Sequence, residues 1–366
     1  MNPAGPASLS GRLREKLLAA LAEGGGWLPF ERFMAIALYE PGLGYYMRGE
    51  PILGRDFVTA PELSPFFGRA LARQVDQALQ ALQAADAAKV IEFGAGSGAL
   101  AAQVLQALGD RVGRYTIVEL SGALRARQAE RLAPFGDRVR WLDRLPDRIE
   151  GVVLGNEVLD AMPVVLLHWD GERWLERGVV VDEAGRFAWH DRPTALHPPG
   201  PAAEAPWPAG TLTEIHPQAE AFVRTLAERL VRGAAFFVDY GFPEAEYYHP
   251  QRSGGTLMCH RAQRADPDPL ADVGDKDITA HVNFSAIALA AQDAGLDVIG
   301  YTTQAHFLLN CGLLELLAGA GVREVAHAQK LLNEHEMGEL FKVIGLARGI
   351  TLDPIGFARG DRSHTL

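Results

Sequence analysis

The run Val90-Ile91-Glu92-Phe93-Gly94-Ala95-Gly96-Ser97-Gly98 joins an apolar strand, a terminal acid and a turn whose alternate residues are glycine. Glycine admits positive φ and lets a ligand lie against the main chain where a Cβ would block it. The apolar-periodic segment that follows, Ala99 to Leu108, points the free N–H groups of a helix N-terminus at the same place. The spacing is G-x-G-x-G. A dinucleotide fingerprint needs G-x-G-x-x-G and a P-loop ends in Gly-Lys-Ser/Thr, so neither diphosphate motif is matched. A ligand with a nucleoside at one end and an amino acid at the other suits the loop better, because Glu92 can accept from an ammonium and the helix terminus can take a carboxylate. S-adenosylmethionine has that form. Any tight strand-to-helix turn collects glycines, but a second acid adds weight. Tyr115 to Leu120 reads as a buried strand ending at Glu119, 21 residues after Gly98, where a carboxylate can accept both ribose hydroxyls.

In open α/β sheets the chemistry sits past the carboxyl ends of the strands. A fourth strand delivers Gly155-Asn156-Glu157-Val158-Leu159-Asp160-Ala161-Met162-Pro163. If a helical turn starts here, Glu157 and Asp160 share one face, and two carboxylates can grip a guanidinium, whose planar fork of donors matches paired acids. The alternative is that Asp160 caps a short helix and Glu157 is solvated. The leading asparagine resembles the Asn-Pro-Pro-Tyr loop of amino-methylating nucleic-acid enzymes. The missing Pro-Pro and aromatic, which would stack a flipped base, argue against a nucleobase substrate. Asp239 and Tyr240 at the end of a fifth strand, and His281 ahead of a helix, are candidate substrate-binding residues, although a lone histidine is usually satisfied locally. Thr59 and Glu62 enter a long helix, where either could be a cap.

The elements that must hold these residues follow an α/β rhythm. Helical periodicity covers 9 to 23, 30 to 39 and 63 to 84. Strand candidates at 90–93, 115–119, 139–142, 152–155 and 234–239 alternate with helices, the signature of a doubly wound, mostly parallel sheet. Residues 164 to 192 instead alternate and turn like an antiparallel meander, and six prolines follow between Pro193 and Pro208. Two last strands are expected at 296–302 and 341–347, and a helix from 283 to 294. The division expected is a helical preface at 1–84, the core at 85–163, the meander and proline-rich loop at 164–213, more core at 214–303, a helical insertion at 304–335, and the last strand and tail at 336–366.

With 366 residues, 48% hydrophobic and 22% charged, the chain can bury a full core. No run of about 18 apolar residues spans a membrane, and the N-terminal stretch has no signal-like apolar region, so a cytoplasmic enzyme is expected. Two cysteines allow one disulfide at most and no zinc constellation, and no metal is expected. The net charge of −11 disfavours nucleic acid as a partner.

Longer motifs are more specific. PFERFMAIALYEPGLGYYM at 29–47, GRDFVTAPELSPFFG at 54–68, IEFGAGSGAL at 91–100, NEVLDAMPV at 156–164, GTLMCHR at 255–261, DITAHVNF at 277–284 and MGELFKVI at 337–344 resemble the MidA family. Its mitochondrial members are protein-arginine methyltransferases that assist assembly of respiratory complex I. The resemblance spans about residues 9 to 347. It implies a class I, Rossmann-like S-adenosylmethionine methyltransferase fold, a seven-stranded sheet whose last strand is antiparallel, and symmetric dimethylation of an arginine on a complex I subunit. It puts the cofactor loop on Glu92, Gly94, Gly96 and Gly98, and the ribose acid on Glu119. Ala95, Leu120, Asp143, Thr59 and Pro61 complete the expected cofactor contacts, and Asn156, Glu157 and Asp160 are the catalytic candidates. Val158, Leu159 and Met162 depart from the bulkier or aliphatic family residues, and Asn283 stands where an acid is common; these differences bear on substrate fit. Two rivals are an NAD-dependent oxidoreductase, which lacks its loop spacing here, and a non-catalytic assembly factor, which has no need of an intact loop.

Overall fold

The computed structural model describes residues 8–48, 58–82, 89–200, 206–262 and 264–366. Residues 54–57 of one motif and 201–205 of the proline-rich loop lie outside them. The chain divides into two compact units. The larger is Val58–Leu159, Glu220–Pro243 and Phe284–Leu366; the smaller is Met1–Phe57, Asp160–Ala219 and Glu244–Asn283.

Seven strands build the larger unit: β1 Lys89–Phe93, β2 Arg114–Val118, β3 Val139–Leu142, β4 Ile149–Asn156, β5 Leu230–Phe242, β6 Asp297–Thr303 and β7 Phe341–Arg348. Their order across the sheet is β3-β2-β1-β4-β5-β7-β6. β1 to β5 run parallel, and β7 lies antiparallel to both β5 and β6. All seven expected strands are found, within a few residues of the anticipated bounds. β1 and β4 are buried almost throughout, as strands covered on both faces must be. Val90, Val152, Leu154, Phe236 and Val343 meet Val104, Leu105 and Leu108 of the helix Ala99–Leu108 in one core. Each such side chain contributes about 1.5–3 kcal/mol on burial.

The helix expected over 63 to 84 is two helices, Ala60–Leu63 and Pro65–Ala81. Ser64 between them is extended (φ −151°, ψ 129°), because a residue preceding proline is pushed out of the helical region. Its side chain then accepts from the Phe66 N–H and caps the second helix, which has Pro65 in its first position.

In the smaller unit the expected meander is present as Val165–Trp169, Trp174–Val181 and Phe187–Pro193, antiparallel in sequence order. Leu212–Ile215 and Leu28–Pro29 add to this sheet. Three short strands, Arg264–Asp266, Met258–Arg261 and Asp277–Thr279, form a second small sheet. Their three or four residues, mostly polar, offer no alternation from which to anticipate them. Leu13, Leu17, Phe30, Phe33 and Met34 share a core with Val164, Leu166 and Ile278.

Arg348 at the end of β7 ties three carbonyls together: Nε donates to Gly295 at 3.0 Å, Nη1 to Ala227 at 2.6 Å, and Nη2 to Ala294. A cation at these helix ends also suits their dipoles. We expect Arg348→Leu to lower stability by about 1.5–3 kcal/mol in urea unfolding, with cofactor affinity unchanged in the folded fraction. A loss below ~0.5 kcal/mol would show the carbonyls are equally well served by water.

Candidate active site

The sheet register brings four strand ends side by side. Phe93 pairs with Val118 and with Gly155, and Asn156 pairs with Val238. Gly94, Glu119, Asn156 and Asp239 therefore sit at or just past the carboxyl edge, on either side of the point where strand order reverses between β1 and β4.

Gly94, Gly96 and Gly98 all have left-handed backbones, with φ of 60°, 53° and 82°. That is why glycine alternates here. Gly98 N–H donates to the Ala95 carbonyl at 2.7 Å, closing the turn, and its own carbonyl starts the helix Ala99–Leu108. A Cβ on Gly94 would come within 2.9 Å of Val158 Cγ2, so the loop after β4 packs directly on the glycine turn. Ser97 is fixed by Glu62 and by Arg131 Nη1 at 2.5 Å, and Arg131 also reaches Glu62 at 2.7 Å. Burial opposes the charge of Glu62, but Arg131 and Ser97 hold its carboxyl below the usual range. Glu62 is thus a clasp between the preface and the glycine turn, not a helix cap. Thr59 precedes the short helix without a side-chain cap bond, and Pro61 is buried with its carbonyl accepting from Gln103 Nε2 at 2.7 Å.

Glu92 is buried and accepts from Tyr115 Oη at 2.7 Å. Burial pushes its pKa up to about 7, despite that bond, and Glu119 adds to the rise. Glu119 is also raised by burial, while the Ser121 N–H at 2.9 Å and Gln128 Nε2 at 3.1 Å pull it back. A carboxylate has about four acceptor sites, so beside the Ser121, Gln128 and Leu120 donors capacity remains for a ribose hydroxyl. Leu120, next in the chain, is 62% exposed, an apolar surface suited to a nucleobase face. Asp143 lies exposed just past β3.

Gln128 is a site residue that the sequence reading missed. Nε2 donates to the Gly96 carbonyl at 2.9 Å as well as to Glu119, and Oε1 accepts from Trp141 Nε1 at 2.8 Å. It is fully buried between Leu124 and Leu132 at helical spacing. A polar residue on the apolar stripe of that helix is the signal that marks it.

The loop after β4 departs from expectation. No helix forms at 157–163, so Glu157 and Asp160 do not share a helical face and Asp160 caps nothing there. Glu157 has φ 53°, and its N–H donates to the Val238 carbonyl at 2.9 Å. The next two N–H groups, of Val158 and Leu159, donate to Asp239 Oδ2 at 3.1 and 2.8 Å. The left-handed backbone of Glu157 interrupts a helical turn leaving β4. The boundary between units falls between Leu159 and Asp160, and the Asp160 carbonyl accepts from Ala280 N–H within the smaller unit. Asp239 is 1% exposed and holds backbone; Tyr240 packs edge-on against Phe341. In the smaller unit, His281 N–H donates to Thr256 Oγ1, which donates to Glu214 beside Tyr247 and His216. Burial and His281 push His216 down to about 3, so its ring is neutral there.

Three left-handed glycines, a helix N-terminus, two buried acids and an exposed apolar side chain fit the adenosyl and methionyl ends of S-adenosylmethionine. With the β3-β2-β1-β4-β5-β7-β6 sheet they define a class I S-adenosylmethionine-dependent methyltransferase. The chain belongs to the family described as putative S-adenosyl-L-methionine-dependent methyltransferases, which matches residues 70–302. A Burkholderia thailandensis protein crystallised with S-adenosyl-homocysteine is similar over 100% of both chains, at 51% identity and a TM-score of 0.93. The mitochondrial protein arginine methyltransferase NDUFAF7 homolog of Drosophila melanogaster is 28% identical, covering 94% of this chain and 86% of its own. NDUFAF7 of Danio rerio is 27% identical over 93% and 88%. The enzyme is a methyltransferase that uses S-adenosylmethionine, and the oxidoreductase reading falls. Among the described residues no helix is long and apolar enough to cross a membrane, and no cluster could hold a metal.

Two outcomes test the site. Gly96→Val should abolish S-adenosylhomocysteine binding in calorimetry while the protein stays folded, since a branched residue is strained at φ 53°; unchanged affinity would move the ligand elsewhere. Glu92 is raised in the fold from 4.5 to about 7, so its stabilising contribution is full below pH 4.5 and is lost as pH rises through 7. Glu92→Gln lacks that loss: it should melt above wild type at pH 8, by on the order of 2 kcal/mol, with the gap closing toward pH 5. A gap independent of pH would contradict the buried-acid assignment.

Proposed function

We propose that the enzyme methylates an arginine side chain of a protein, by symmetric dimethylation, with a respiratory complex I subunit as the expected class of acceptor. The observation that carries the proposal is the placement of Glu157. Its carboxylate follows β4 on a left-handed backbone, one residue before the side chain that packs on the glycine turn. The names of the NDUFAF7 relatives support it, since those proteins are called arginine methyltransferases.

Bound in the cradle, S-adenosylmethionine supplies a methyl group already activated by its sulfonium. The protein's task is orientation and charge control. A guanidinium is a poor nucleophile because its lone pairs are delocalised. A carboxylate beside its far nitrogens localises positive charge there and leaves the near nitrogen more reactive. The new N–C bond forms as the S–C bond breaks, and the proton leaves afterwards, so no strong base is required. Asn156 fixes Glu157 through Nδ2, which donates to Oε1 at 2.9 Å. A purely scaffolding role has no use for three left-handed glycines and two buried acids. Both cysteines are free thiols, which suits the cytoplasmic location we assign.

Incubation with radiolabelled S-adenosylmethionine and extract from cells lacking the gene, followed by mass spectrometry, tests the proposal. Label should fall on arginine. Glu157→Gln should transfer about 10²-fold more slowly while binding S-adenosylhomocysteine within a few-fold of wild type. Label on another residue type, or full transfer by Glu157→Gln, would overturn it.

A further inference from the structure

Asn156 holds an acceptor that the fold leaves over. The residue is 8% exposed, at the carboxyl end of β4. Its amide nitrogen must face Glu157, because a carboxylate accepts and cannot donate, and the observed contact to Oε1 at 2.9 Å uses that nitrogen. The carbonyl oxygen Oδ1 is buried and receives no hydrogen bond among the described residues. A buried acceptor without a donor is costly and uncommon in native proteins. Here it is held by a second uncommon feature, the left-handed backbone of the neighbouring Glu157, which is itself tied to Val238 and followed by the Asp239 anchor. Strain and an unmet acceptor on adjacent residues, beside the glycine turn, mark a place built for a donor that arrives with a ligand.

The donor's chemistry can be narrowed. An amide oxygen next to a carboxylate on the following residue makes two acceptors of unequal charge. A cation with several N–H donors can serve both, as the Lys276 ammonium does for Asp266 and the Asp268 carbonyl. A guanidinium presents several N–H groups in one plane and can give one to each acceptor. We propose that Asn156 Oδ1 is a substrate-binding acceptor that takes an N–H of the substrate guanidinium while Glu157 takes another. Asn156 thereby sets the tilt of the guanidinium plane. The assignment rests on the arginine reading above and adds a residue that orients the side chain.

The test uses N-acetyl-arginine amide and N-acetyl-lysine amide as probes, titrated by NMR into the full-length protein saturated with S-adenosylhomocysteine. Wild type should bind the arginine probe more tightly than the lysine probe. Asn156→Leu keeps the branched outline in a larger side chain and removes the acceptor; it should weaken the arginine probe about tenfold or more and leave S-adenosylhomocysteine affinity unchanged. Asn156→Asp keeps an oxygen there but loses the Nδ2 donor to Glu157; it should retain arginine binding within a few-fold, so that loss in Asn156→Leu alone assigns the effect to the oxygen. If wild type prefers arginine but Asn156→Leu binds it equally well, this assignment fails and the arginine reading stands. If Asn156→Leu loses S-adenosylhomocysteine instead, the acceptor serves the cofactor and the assignment is again overturned. Absence of any arginine preference in wild type would sink both.

Discussion

The carboxylate of Asp239 is the constraint on which the site depends. Buried at the end of β5, it accepts the N–H groups of Val158 and Leu159, and its other oxygen accepts the Tyr240 N–H at 3.0 Å. Without that acceptor two backbone donors would be left unpaired, and the chain leaving β4 would have to move to reach another acceptor or water. With it, the backbone is committed: Glu157 takes φ 53°, Val158 lies on Gly94, and Asn156 gives its Nδ2 to Glu157 and keeps an unmet Oδ1. One carboxylate therefore couples the substrate side of the site to the glycine turn on the cofactor side.

The cofactor side is organised in the same way, by buried polar groups that hold backbone. Gln128 reaches the Gly96 carbonyl and Glu119 at once, and Tyr115 supports Glu92 from the neighbouring strand. Glu62, Ser97 and Arg131 clasp the preface to the turn. Two acids kept in a low-dielectric setting resist ionisation, which costs stability at neutral pH and leaves them poised to gain from donors brought by a ligand. The glycine turn is thus braced by the protein's own side chains, as expected when binding energy must not be spent on ordering the loop.

What was legible in the sequence follows from how local the cause is. The glycine turn could be read because each glycine answers to one φ value at its own position, and the seven strands because buried parallel strands are continuous apolar runs. The pair of helices Ala60–Leu63 and Pro65–Ala81 was half legible: Pro65 announced a break that the apolar periodicity overrode. The loop after β4 was misread as helical because its deciding partner, Asp239, lies some 80 residues further on. Gln128 escaped notice for a related reason, since its three partners sit on three different elements.

The most direct measurement is the affinity of Asp239→Ala for S-adenosylhomocysteine, by calorimetry on protein shown to be folded. Asp239 braces the glycine turn through the N–H groups of Val158 and Leu159 that it accepts. If that is how the site is built, releasing those N–H groups unseats Val158 from Gly94, and affinity falls by about tenfold or more. Wild-type affinity in Asp239→Ala would contradict the account, since the glycine turn would then stand without the loop that is claimed to brace it.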